Sequence, residues 1–304
     1  MVTFSKEMRL GFIGAGVVGG SLAVALSNAG YTVASVASRT FSSARQFASR
    51  LPECEALTDL QDVVDRTDFV FITTSDDAIE SVCESLSWRR GRGVAHCSGA
   101  ASVDVLQHAS EQGAEAGAFH PLQAFNSVEN GVDAVPGTTF GIEGGEQTRA
   151  FLGELATAIG GRSIFLRPED KVLYHVSGVL MGNLLTVLAS VAASVWTKFG
   201  QTRDDGVLAL APMMRAVAAN LEASGVPQAV AGPYPRGDIG TIRKHLEAVS
   251  ADAPEYLSVY CELALAGLPF AVEKGALPPE RAEEIREMIG RYAAQGERHL
   301  KAKD

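Results

Sequence analysis

Short apolar runs and amphipathic stretches alternate along the first half of the chain. The runs predict strands at Arg9–Ile13, Thr32–Ala37, Phe69–Thr73, Gly93–His96 and Ala116–His120, with two more near Thr138–Ile142 and Arg162–Leu166. The stretches between them predict helices at Val18–Asn28, Ser42–Ser49, Asp76–Ser85, Val103–Glu111 and Gly145–Ile159, the last stopped by Gly160-Gly161. Strands that alternate with helices pack as a doubly wound parallel sheet, since each crossover helix covers a face of the sheet. Arg167-Pro168 interrupts the pattern, because the ring of Pro168 disfavours a regular element running through it. Beyond it the periodicity is helical throughout: Asp170–Phe199, Asp204–Ala223, Gly240–Ser250, Ala253–Ala266 and Pro279–Gln295. The expected architecture is an α/β domain over residues 1–167 and an all-helical domain over residues 168–304.

From Val172 to Thr197 there is no Asp, Glu, Lys or Arg. That length meets the criterion for a membrane span. The segment also contains Tyr174, His175, Asn183 and several small residues, and a helix apolar on all sides equally suits a buried position. It is read here as the centre of a helical domain or of a dimer, with no membrane partner.

The first predicted strand runs into Gly14-Ala15-Gly16-Val17-Val18-Gly19, and the first predicted helix leaves it. A glycine turn between strand and helix is the geometry that holds a dinucleotide pyrophosphate. Gly14 permits the tight turn, Gly16 admits the phosphates to the backbone, and Gly19 lets the helix pack closely. The free N–H groups and the dipole of the helix N-terminus then face the phosphates. The second strand ends at Ser38-Arg39-Thr40, with no carboxylate before Glu53. An NAD site normally places an acid there for the ribose 2′-OH. Cations and hydroxyls suit a 2′-phosphate instead, so the expected cofactor is NADP(H).

A formal net charge of −10 repels nucleic acid in bulk, and no nucleic-acid partner is expected. Cys54, Cys83, Cys97 and Cys261 have no metal-ligand spacing and read as reduced thiols of a cytoplasmic protein. The opening MVTFSKEMR has no apolar core of a secretory signal. The six histidines are scattered, and no metal site is expected.

Ligands of open α/β sheets sit beyond the C-terminal ends of the strands. Three loops meet that condition. Thr74 and Ser75, after the Phe69 strand, are candidates to line the cofactor. Ser98 and Gly99, in His96-Cys97-Ser98-Gly99-Ala100, are candidates for a substrate carboxylate. His120, fixed by Pro121, is a candidate for proton chemistry. On the first helix of the second domain, Lys171 and His175 share a face that Gly178 and Gly182 continue, with Asn183 on its shoulder. Carbonyl reduction needs a donor at the developing oxyanion, and Lys171 is the expected one, alone or through His175. In the later Gly232-Pro233-Tyr234-Pro235-Arg236-Gly237-Asp238 turn, Arg236 and Asp238 complete the expected substrate group; Asp238 also suits a helix cap.

The blocks GFIGAGVVG, HCSGA, FHPLQAF, KVLYHVSGVLMGN and GPYPRGDIGTIRKHL resemble a family of two-domain, Rossmann-like oxidoreductases with a C-terminal helical domain of unknown function. The domain order is also similar to that of ketopantoate reductases and beta-hydroxyacid dehydrogenases. These carry a lysine followed by an amide residue on the corresponding helix; here His175 stands in place of the amide. The His-Pro segment resembles that of prephenate dehydrogenases. The resemblance implies an NADP-dependent reductase of a small 2-oxo acid such as ketopantoate, acting as a homodimer through its helical domain. An imine reductase or prephenate-type dehydrogenase using His120 is the alternative within the class. A non-catalytic NADP-binding sensor or scaffold is the alternative outside it.

Overall fold

The structure is a computed structural model that describes residues 4–301. It divides into two compact units, Met1–Asn183 and Leu184–Asp304. The first is built on one eight-stranded sheet: β1 (Arg9–Ile13), β2 (Thr32–Ala37), β3 (Glu55–Leu57), β4 (Phe69–Ile72), β5 (Gly93–His96), β6 (Glu115–Pro121), β7 (Thr139–Gly144) and β8 (Arg162–Phe165), in the order β3-β2-β1-β4-β5-β6-β7-β8. Its helices are α1 (Val17–Asn28), α2 (Phe41–Ala48), α3 (Leu60–Arg66), α4 (Asp76–Glu84), α5 (Gln107–Glu111), α6 (Val128–Ala134), α7 (Glu146–Ala158) and α8 (Lys171–Val179). Alternation along the strands splits the core in two. Phe12, Phe71, Phe119 and Phe140 form an aromatic layer with Leu22 of α1 and Phe151 of α7. Ile13, Val70, Ile72 and Val94 pack on the opposite face with Val63 of α3 and Ile79 of α4.

The sheet is not parallel throughout. β7 runs antiparallel to β6, with Phe119 opposite Ile142, and β8 follows β7 in parallel. A parallel neighbour needs a crossover to the far end of the sheet. The chain makes none here. It turns through α6, which docks closely on α1, where a Cβ on Gly20 would lie 2.8 Å from the Val128 side chain, and it re-enters the sheet antiparallel. The short elements β3, α3 and α6 were not among the expected ones.

The second unit holds α9 (Leu185–Val195), α10 (Arg203–Ser224), α11 (Ile239–Asp252), α12 (Leu257–Glu273) and α13 (Pro279–Lys301). Ile242, Leu246, Leu257, Cys261, Leu268, Ile285 and Ile289 make its core. Thr202 and Asp205 close a reciprocal capping box at the start of α10, satisfying two backbone donors that the helix leaves free.

α8 and α9 are joined by a π-helical turn, Leu180–Leu184, and the compact units divide within it rather than at Arg167–Pro168. The first turns of the helix are tied to the sheet by side chains described below. The expected burial of Val172–Thr197 inside the chain is corrected by the structure. Within the helical run Pro168–Phe199, 6% of the most apolar window is buried, and Leu173 is 75% exposed. By length and composition this run and Pro254–Glu273 are apolar enough to cross a membrane.

Candidate active site

The glycine turn follows from close packing at its base. Gly14 has φ +106°, which L side chains rarely adopt, and a Cβ there would lie 2.6 Å from the Thr73 backbone. Its N–H donates to Ala37 O at 2.8 Å, and the Thr73 hydroxyl donates to Gly14 O at 2.9 Å. A Cβ on Gly19 would collide with that same hydroxyl, so the third glycine serves the close approach of the Thr73 loop. At Gly16 a Cβ would meet nothing nearer than Thr73 O at 3.8 Å. The space it leaves belongs to a cavity of about 220 Å³ lined by Gly16, Val17, Val18, Thr73 to Asp76 and Cys97. The turn thus has an open backbone at a helix N-terminus, which fits a pyrophosphate. At the end of β2, Arg39 is exposed and has no hydrogen-bond or ion-pair partner among the described residues, while Thr40 and Ser43 share a 2.6 Å hydroxyl bond.

Beside this cavity, strand register collects polar groups on one face of the sheet. His96 pairs with Ala118, Ala118 with Glu143, and His120 with Gly141. Directly opposed residues share a face, as do residues two apart, so His96, His120 and Glu143 lie on the same side. α8 crosses that side. Lys171 Nζ meets Glu143 Oε1 at 2.6 Å, with 0% and 1% of the two side chains exposed. Neither atom has any other hydrogen-bond partner among the described residues. The other carboxylate oxygen of Glu143 accepts the Val103 N–H at 3.1 Å. Burial pushes the Lys171 pKa down, and Glu143 opposes that shift.

One turn on, the Tyr174 ring stands over Gly141, where a Cβ would sit 2.8 Å from the ring, and its hydroxyl lies 3.0 Å from His120 Nδ1. His175 crosses the His120 ring edge to face, with centroids 5.8 Å apart. The Nε2 atoms of both rings converge on Gly99: its Cβ would lie 2.7 Å from His120 Nε2 and 2.9 Å from His175 Nε2. Burial, then Lys171, then His175, lower the His120 pKa to about 3, so the ring is neutral at physiological pH. His96 is lowered to about 3 by burial and then Lys171. Its Nδ1 accepts the Ser98 N–H at 3.2 Å and its Nε2 donates to Ser102 O at 3.1 Å.

Three expectations need correction. Lys171 has no exposed surface, so it is a buried counter-charge beneath the histidines rather than a group presented to a substrate. Ser98 is spent internally: its hydroxyl donates to Asp76 at 2.7 Å and accepts the N–H groups of Ala100 and Ala101 at 3.2 and 3.0 Å. It shapes the loop and leaves no hydroxyl for a carboxylate. Asp238 is likewise occupied, accepting from the Thr241 N–H at 3.0 Å and the Thr241 hydroxyl at 2.7 Å as the cap of α11. Arg236, also in the second unit, is exposed, as is Asn183 at the end of the first. Thr74 and Ser75 line the cavity beside the glycine turn. Burial pushes the Cys97 thiol up to about 12, which favours the thiol over the thiolate.

Two functional groups escaped the sequence reading. Glu143 carried a signal, a carboxylate inside the apolar strand Thr139–Gly144, where an unpaired charge is too expensive to bury. Tyr174, one turn from Lys171, looked like any aromatic residue of an apolar helix.

Residues 4–121 match a family described as a Rossmann-like domain, and residues 138–266 match the Domain of unknown function (DUF2520). No curated protein matches the chain. Among solved structures it is similar to a Bacteroides fragilis protein described provisionally as an NADP oxidoreductase, with 25% identity and a TM-score of 0.68 over 87% of this chain and 99% of that one. It is also similar to a reductive aminase from Aspergillus terreus in complex with NADPH and ethyl-5-oxohexanoate, with 17% identity and a TM-score of 0.59 over 95% of both chains. A third similar structure is a 1-pyrroline-5-carboxylate reductase from Streptococcus pyogenes, with 15% identity and a TM-score of 0.57 over 93% of this chain and 100% of that one. The Rossmann-like match thus spans the glycine turn, His96 and His120, and the DUF2520 match spans Glu143, Lys171, Tyr174 and His175.

Proposed function

We propose that the protein is an NADP(H)-dependent oxidoreductase that reduces the C=O or C=N bond of a small substrate, with 2-oxo acids such as ketopantoate as the first class to assay. The observation that carries this reading is the convergence of His120 Nε2 and His175 Nε2 beside Gly99, at the strand ends next to the glycine-turn cavity. NADPH, when bound, supplies the hydride. Gly14, Ala15, Gly16, Val17, Val18 and Gly19 hold its pyrophosphate, Thr74 and Ser75 flank the ribose, and Ser38, Arg39 and Thr40 meet the 2′-phosphate. The similar Bacteroides fragilis protein and the NADPH complex of the reductive aminase support the choice of cofactor.

The residues of this chain then act on the substrate. A neutral imidazole is a competent electrophile, and His120 hydrogen-bonds the heteroatom on which charge develops. His175, half-buried beside it, passes a solvent proton to that atom. Burial and then the charge of Lys171 keep His120 neutral, and Glu143 balances the lysine.

The direct test is substrate-dependent oxidation of NADPH by the purified protein, with NADH in parallel. Turnover with NADPH and little with NADH is expected, and Arg39→Ala should weaken NADPH binding roughly tenfold and leave NADH binding unchanged. NADPH that binds tightly without turnover on any carbonyl or imine would overturn the enzyme reading in favour of a sensor module.

The helical unit is proposed to pair with a second copy. Leu208 on α10 is 74% exposed, with Met213 and Val217 on the same helix and Val187 on α9 also bare. So much exposed apolar surface on two neighbouring helices marks an interaction surface. Light scattering should give a dimer, and Leu208→Glu should give a monomer.

A further inference from the structure

The geometry around His120 decides which of its ring nitrogens carries the proton. A neutral imidazole has one donor and one acceptor, and a bond to one nitrogen fixes the role of the other. Here the partner of Nδ1 is the Tyr174 hydroxyl at 3.0 Å. That hydroxyl has one hydrogen and two candidate acceptors, His120 Nδ1 and the His120 carbonyl at 3.4 Å. Donation from the phenol to Nδ1 puts its hydrogen on the 3.0 Å contact, whereas an Nδ1–H donating to the phenol would leave that hydrogen only the 3.4 Å carbonyl contact at the limit of hydrogen-bond length, so the first arrangement is favoured. The proton of His120 then resides on Nε2, the atom that projects toward Gly99.

Tyr174 is held to this task from three sides. Its ring occupies the space over Gly141 and stands edge to face on His120, with centroids 5.5 Å apart. Its helix is anchored one turn earlier by the Lys171–Glu143 pair. Burial raises the phenol to about 12, partly offset by a backbone hydrogen bond from Gly141, so it remains a donor across the physiological range.

We infer that Tyr174 is a positioning residue that locks His120 as the Nε2–H tautomer, and that the site thereby takes substrates whose reacting heteroatom offers a lone pair. This inference rests on the reductase reading above for its chemical consequence. A ketone oxygen or a neutral imine nitrogen accepts the Nε2–H. A cationic iminium has no lone pair to accept it.

The test is a long-range proton–nitrogen spectrum of the full-length protein labelled on its histidine rings, with His120 assigned through His120→Asn. A pyrrole-type Nε2 and a pyridine-type Nδ1 are expected for His120. In Tyr174→Phe the tautomer signature should collapse toward an exchanging mixture. Turnover of a ketone substrate should fall about tenfold with KM for NADPH unchanged. Circular dichroism of Tyr174→Phe checks that the variant folds; if it does not, the wild-type spectrum decides the tautomer. An Nδ1–H ring in the wild type, or an unaltered ring in a folded Tyr174→Phe, would overturn the inference. The nitrogen shifts are read without substrate, so absence of turnover would count against the reductase reading and leave the tautomer assignment to stand or fall by itself.

Discussion

The C-terminal ends of β5 and β6, with the loops that follow them, each carry a histidine at the edge of the sheet, and burial together with Lys171 holds both rings at a pKa of about 3. In the first loop the polar side chains of His96, Ser98 and Ser102 are all engaged. His96 uses both nitrogens on backbone, Ser98 binds Asp76 and two N–H groups, and Ser102 caps the turn that follows. In the second loop Tyr174 takes one nitrogen of His120 and leaves the other facing Gly99. The same residue type, burial and charge environment therefore serve a strut in one place and a candidate reagent in the other. Unspent hydrogen-bonding capacity separates them, and perturbed ionisation alone does not.

The comparison is broken most severely at the charge both histidines share. Lys171→Met leaves Glu143 buried without a counter-ion and should cost about 3–5 kcal/mol of stability, measured by urea unfolding. Lys171→Met combined with Glu143→Leu should recover most of the loss; a double variant as unstable as the single one would show that the pair does more than balance charge.

Next come substitutions that treat the two loops differently. His120→Asn should lower turnover by roughly 10²–10³-fold with little change in stability, if His120 is the electrophile. Ser98→Ala should do the reverse, lowering stability by about 2 kcal/mol while much of the turnover survives. Full activity in His120→Asn would place the chemistry elsewhere.

The smallest effect is a pH dependence. His96 titrates near 6.5 when unfolded and at about 3 when folded, so below 6.5 the unfolded state binds the extra proton. The stabilisation from a neutral His96 is complete above that pH and is lost as the pH falls toward 3, with about 2 kcal/mol gone by pH 5. Unfolding free energies of the wild type and His96→Asn should converge as the pH drops, and parallel curves would exclude His96 as a source of acid lability.

The sheet was legible where the pattern had physical force. The apolar runs of β1, β2 and β5 and the glycine turn stand where the sequence put them, because alternation and a strand-to-helix glycine leave few other readings. The reversal at β7 was not legible, since a strand has the same pattern in either direction and only the docking of α6 on α1 determines it. The glycine turn and the Thr73–Asp76 loop border one cavity, an adjacency that follows from their place at neighbouring strand ends. The interior of the site was not legible, because Glu143 meets Lys171 and Tyr174 meets His120 only through strand register and a helix far along the chain. Lys171 stood out for its position on the helix as a donor to the carbonyl oxygen, but its burial against Glu143 was not legible, because the partner lies on a strand 28 residues earlier. The apolar segment from Val172 drew a burial expectation that a single chain does not meet, since periodicity reports an apolar helix without naming what covers it.

Gly99 and Gly141 have a consequence for tolerance to mutation. Each leaves a space that a neighbouring ring fills, the imidazoles at Gly99 and the Tyr174 phenol at Gly141. A saturation library scored for activity should find both positions as intolerant as His120, although neither has a side chain to react. At these two sites the fitness landscape records the shape of an absence, and alanine, the usual neutral probe, is the substitution that reveals it.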